Sequence, residues 1–111
     1  MTVDLSRIQE VASGDYETEV MLIDLFISDS EELLAQLKTA LATGDRNAMR
    51  QASHSLKGSA ANMGAELLRS FFLELETVAS EGVLDDAPPI LLQVDSELSK
   101  ITEFLHQYMK S

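Results

Sequence analysis

The sequence predicts an all-α fold: an antiparallel up-down-up-down four-helix bundle with a short additional N-terminal helix. Three observations lead there. Apolar residues recur at spacings of three and four along the chain. Runs of β-branched residues are absent. Four of the five glycines stand where helices should stop.

The elements follow in order. Asp4 to Ala12 forms an opening segment whose Leu5, Ile8 and Val11 make one stripe, ended by Gly14. Tyr16 to Thr43 reads as one long helix closed by Gly44, with Leu22, Phe26, Leu33 and Leu37 inward. "SDSE", Ser28–Glu31, matches a capping box inside it, but the apolar periodicity continues across. Asp45 offers an N-cap for the next helix, which ends at Gly64. A fourth helix, about Ala65 to Glu81, turns Leu68, Phe71, Phe72, Leu75, Val78 and Ala79 inward and stops at Gly82. The prolines of "DDAPP" suit the first turn of a last helix, Pro88 to Lys110. Short connections make successive helices antiparallel neighbours.

The 111 residues form a single domain, residues 1–111, long enough for a real core. No cysteine is present, which excludes disulfides and thiolate metal sites and makes the reducing cytoplasm the expected compartment. No apolar run approaches the length of a membrane span, and the acidic N-terminal residues argue against a signal peptide. A net charge of −11 disfavours nucleic acid and anionic membranes as partners. The acid is unevenly spread: Arg46 to Ala65 contains Arg46, Arg50 and Lys57 and no carboxylate. Met1 directly before a folded-looking segment, and an end just past the last helix, suggest a free-standing protein; a monomer is expected.

That window holds the candidate site. On a wheel of 100° per residue, Met49, Ala52, Leu56, Ala60 and Met63 form the core stripe, and His54 lies nearly opposite. Arg50, Lys57, Gly58 and Ala61 share its exposed face, with Gln51 flanking. Gly58 costs this helix about 1 kcal/mol against alanine, which makes sense if something large approaches the imidazole. Neutral imidazole is a good nucleophile near neutral pH. Flanked by cations in an acidic protein, it suits attack on a phosphoryl group, with Lys57 balancing the charge of the phosphorylated ring and Arg50 adding more weakly.

"HSLKGSAANMGA", preceded by Ala52 and Ser53, resembles the signature of histidine-containing phosphotransfer (HPt) domains. His54, Leu56, Lys57, Gly58, Ser59, Ala60, Ala61, Met63 and Gly64 carry the match, and "ALATGD" and "LRSFFLELETVASEG" resemble the family's flanking helices. The resemblance implies a four-helix bundle carrying phosphate on His54 between aspartates of response-regulator receiver domains, fed by a hybrid sensor histidine kinase. Lys57 and Gly58 would support the site, and the receiver would supply the aspartate cluster and Mg²⁺. This chain then binds no cofactor or metal itself, and is a phosphocarrier rather than an independent enzyme.

Two other readings stay open. One is the phosphoacceptor module of a chemotaxis-type histidine kinase, with the same chemistry and a different donor. The other is a helical adaptor never phosphorylated, which would expose a large apolar stripe. Ile23, Ile27 and Leu34 form such a candidate on the long helix: covered by the N-terminal helix, or part of a partner-docking surface. The lack of a Gly-rich nucleotide loop, and a 111-residue bundle with no room for an ATP domain, argue against a self-sufficient kinase. His106 reads as plain surface, and Asp85–Asp86 and Glu31–Glu32 as turn or helix-face charges.

Overall fold

Caps and glycines divide the chain much as its periodicity implies. The computed structural model describes residues 3–110. They form α1 (Leu5–Val11), α2 (Tyr16–Thr43), α3 (Arg46–Asn62), α4 (Glu66–Glu81) and α5 (Ala87–Lys110), with one 3-10 turn, Leu84–Asp86, ahead of α5. No strand occurs among the described residues. The 28 residues of α2 span about 42 Å at 1.5 Å per residue, so this one helix sets the 43 Å length of the molecule.

Local chemistry explains the boundaries. Gly44 ends α2 in the left-handed region, at φ 72°, where a Cβ would be strained. Asp45 then caps α3, its carboxylate accepting the Ala48 N–H at 3.1 Å. Gly64 is required twice over. Its φ is 69°, and a Cβ there would lie 2.7 Å from the Asp4 Cβ. The Asp4 N–H donates to the Gly64 carbonyl at 3.2 Å, so the N-terminal segment is seated on the α3–α4 turn. The capping-box residues Ser28–Glu31 lie inside an unbroken α2. A local cap contributes about 1 kcal/mol, less than burying one large apolar side chain of the continuous stripe.

Packing proceeds in chain order: α2 on α3, α3 most extensively on α4, α4 on α5, and α5 back against α2. Ile23, Leu37, Met49, Leu56, Phe72, Leu75, Ile101 and Leu105 are all essentially excluded from solvent, each worth roughly 1.5–3 kcal/mol against exposure. Contact between α2 and α5 is thin, and two tyrosines reinforce it. The Tyr16 hydroxyl donates to the Met109 carbonyl at 2.5 Å. The Tyr108 hydroxyl donates to the buried Glu19 carboxylate. That carboxylate, above all, raises the Tyr108 pKa and keeps the phenol a donor.

Two expectations are corrected here. Ile23 and Leu34 are core, the first fully buried and the second 8% exposed, and Ile27 is half-buried against them. Ile23 and Leu34 are therefore not a docking surface. The inward stripe of α2 is Ile23, Phe26, Ser30, Leu34 and Leu37. Leu22 and Leu33 lie on one border of it and Ile27 on the other, so the two expected stripes are halves of one sector of roughly 140°. On α1, Val11 is 68% exposed, and Ala12 completes the buried line with Ile8. Ala12 stands four residues after Ile8 and stacks above it, whereas Val11 is rotated off that face.

Candidate functional site

Met49, Ala52, Leu56, Ala60 and Met63 are all buried, so the core stripe of α3 is as expected. His54 accordingly faces outward, its side chain 67% exposed. The fully buried Ser53 precedes it, with its Oγ lacking a partner. A small residue suffices there because this position is pressed into the bundle.

The periodicity of α3 alone does not disclose the residue that organises the site, Glu76 on α4. One Glu76 oxygen lies 2.8 Å from His54 Nδ1. The other accepts the Lys57 ammonium at 2.6 Å. The Glu76 side chain is only 18% exposed. The Lys57 bond first, and the His54 bond after it, hold its carboxyl below the usual glutamate range, against the opposing effect of burial. An ionised carboxylate can only accept, so the neutral imidazole carries its proton on Nδ1 and leaves the Nε2 lone pair free.

The frame for this contact is the α3–α4 pair. Arg46 donates to the Val78 and Ala79 carbonyls at 3.1 and 3.2 Å, near the end of α4. His54 and Lys57 meet Glu76 further along, and the Gly64–Ala65 turn closes the pair. Rising numbers on α3 thus meet falling numbers on α4.

Glu76 also changes the expected electrostatics. The carboxylate-free window of the sequence is not carboxylate-free in space, because α4 delivers one. Lys57 is not an idle surface cation: it is bonded and its side chain only 25% exposed. A signal for Glu76 existed: it borders the α4 stripe of Phe72, Leu75 and Ala79, where a half-buried carboxylate calls for a cation.

The remaining expected residues are placed as follows. Gly58 is exposed, and a Cβ on it would meet nothing within 4 Å. The chain's own packing therefore does not require glycine there. Ala61, one turn on, is half-buried, and Gln51 is exposed. Arg50 is exposed and donates to Asn47 Oδ1 at 3.0 Å, directed away from His54 along the helix. Among the described residues no group of three or more His, Cys, Asp or Glu side chains could hold a metal ion. No helix there is long and apolar enough to cross a membrane. His106 is exposed on α5.

Known proteins share the fold. The Hpt domain matches residues 21–104. The phosphorelay protein LuxU of Vibrio vulnificus is 34% identical over 76 residues, which are 68% of this chain and 66% of that protein. The crystal structure of histidine-containing phosphotransfer protein B from Pseudomonas aeruginosa superposes with a TM-score of 0.90 at 34% identity, covering 98% of this chain and 95% of that one. A histidine-containing phosphotransfer protein from maize shares the fold, with a TM-score of 0.86 at 18% identity over 98% and 90% of the two chains. Matched over most of its length, the chain belongs to the Hpt domain family.

Proposed function

We propose that the chain is a phosphocarrier of a multistep phosphorelay, with His54 Nε2 as the atom that holds the phosphoryl group. The observation that carries this is the Nδ1–Glu76 contact at 2.8 Å on a ring two-thirds exposed. It fixes the tautomer and leaves one nucleophilic nitrogen facing outward. The printed names of the relatives, a phosphorelay protein and a phosphotransfer protein, support the same reading.

The step balances without a general base. The Nε2 lone pair attacks the phosphorus of an aspartyl phosphate on a receiver domain. The bond from phosphorus to the aspartate oxygen breaks, and its electron pair stays on the receiver's carboxylate. The proton on Nδ1 remains in place. The phosphorylated ring is then cationic, and Glu76 stabilises it. Lys57 lies three residues after His54 and can turn from Glu76 toward the phosphoryl oxygens. The reverse step delivers the group to another receiver. Mg²⁺ belongs to the receiver, and a hybrid sensor kinase is the upstream source.

Gly58 leaves room for the partner beside the ring, with Ala61, Gln51 and Arg50 around the contact. Docking falls to apolar residues other than those first expected. A groove of about 400 Å³ between α1, α2 and α3 is lined by Val11, Leu22, Leu25 and Met63, with Val11 and Leu25 more than half exposed. It reaches the His54 helix at Ser59 and Asn62. The chain-order packing of α2 to α5 supports the up-down-up-down arrangement; a cytoplasmic location fits the cysteine-free composition.

The test is transfer from a phosphorylated receiver domain. Wild-type chain should acquire acid-labile, base-stable label, and His54→Gln none. Equal label on both would refute the proposal.

A further inference from the structure

We infer that Arg69 on α4 is a docking residue for the receiver, pairing with a carboxylate on the partner's rim; this rests on the phosphotransfer reading above. Arg69 lies seven residues before Glu76, on the same face of α4, about 10 Å along the axis toward the α3–α4 turn. Leu73 stands between them and is 43% exposed. A partner interface of ordinary size covers about 800 Å² per side, a disc of roughly 16 Å radius. Centred on His54, such a footprint extends past Leu73 to Arg69.

Two cations near His54 can respond to a partner: Arg50, which donates to the neutral Asn47 close to the ring, and Arg69, placed toward the α3–α4 turn. Arg46 is tied to the α4 carbonyls and Lys38 to Asp95 on the α2–α5 side, and Lys57, bonded to Glu76, belongs to the phosphoryl site itself. Arg69 is held only by Glu66, three residues earlier on its own helix, at 3.1 Å, and the Glu66 side chain is 72% exposed. An exposed pair of this kind contributes little and exchanges readily. A carboxylate on the rim of a receiver docked at His54 would reach Arg69 and exchange with Glu66. The same charge disfavours partners with a basic rim, so Arg69 contributes to partner choice as well as affinity.

The experiment measures transfer between this chain and a receiver domain that exchanges phosphate with the wild type, over a range of receiver concentrations and salt. Arg69→Glu should raise KM for the receiver roughly tenfold at low salt, with a much smaller effect at 0.5 M, because rim charges act through a screened field. The saturating rate should stay within about twofold, since Arg69 does not touch the imidazole. Glu66→Gln should shift KM the opposite way, downward, by freeing Arg69. A purely structural Arg69–Glu66 bridge would move both variants in the same direction, and that result, or an unchanged KM in both, overturns the inference. Absence of transfer in the wild type with every receiver would instead sink the phosphotransfer reading itself.

Discussion

The Glu76 carboxylate bridges His54 and Lys57, with one oxygen 2.8 Å from the imidazole Nδ1 and the other 2.6 Å from the ammonium. One acid from α4 thus does two jobs on α3: it orients the imidazole and restrains the nearby cation. Removing it should separate the two. Glu76→Gln keeps an acceptor for Nδ1–H but not the charge, and should slow transfer by about fivefold, the loss of about 1 kcal/mol of charge assistance. Glu76→Ala removes both bonds and should slow it about 10- to 100-fold, the equivalent of 1.5–3 kcal/mol. Single-turnover phosphotransfer kinetics of the two variants check the order.

The same carboxylate gives the site a pH signature. Its pKa is lowered in the folded chain from the ordinary 4.5, chiefly by Lys57. The folded state therefore holds this proton less tightly than the unfolded state. Its contribution to stability is fully present above pH 4.5 and is lost as pH falls through the lowered value. Urea unfolding of wild type and Glu76→Gln should differ most near neutrality, and the gap should close on acidification below pH 4.5.

Gly58 separates stability from function. Nothing lies within 4 Å of where its Cβ would be, so Gly58→Ala should stabilise the helix by about 1 kcal/mol. Gly58→Phe should also leave the fold intact, while slowing transfer at least tenfold by filling the space beside the ring. Thermal melts read the first effect and transfer rates the second.

Two hydroxyls carry opposite expectations. The Ser53 Oγ is fully buried without a partner, so Ser53→Ala should leave stability unchanged or raise it by about 1 kcal/mol. The Tyr108 hydroxyl serves the buried Glu19 carboxylate, and Tyr108→Phe should cost about 1–3 kcal/mol by stranding it. Denaturant midpoints at neutral pH measure both.

Much of this is legible in the amino-acid sequence. Helix ends carry local chemistry, so Gly44, Asp45 and Gly64 mark theirs in the sequence, and α2 spans the expected residues 16–43. The exposure of His54 followed from the rotation of one amphipathic helix. Elsewhere the information is not local. On α2 the apolar sector is too wide for periodicity to fix its centre, which reversed the roles of Leu22 and Ile23. Glu76 stands 22 residues from His54, and only the α3–α4 register brings it there. A short helix such as α1 offers too few residues for its inward face to be told from its edge, which misplaced Val11.

The most direct test of the central claim is the chemical identity of the phosphorylated atom. The chain should be phosphorylated by a receiver domain, with its imidazole nitrogens followed by ¹⁵N and ³¹P NMR. The account predicts phosphate on Nε2 of His54, and a protonated Nδ1 whose hydrogen-bond signature is lost in Glu76→Ala. Phosphate on Nδ1, or a phosphorylated chain with an unmodified His54, would contradict it.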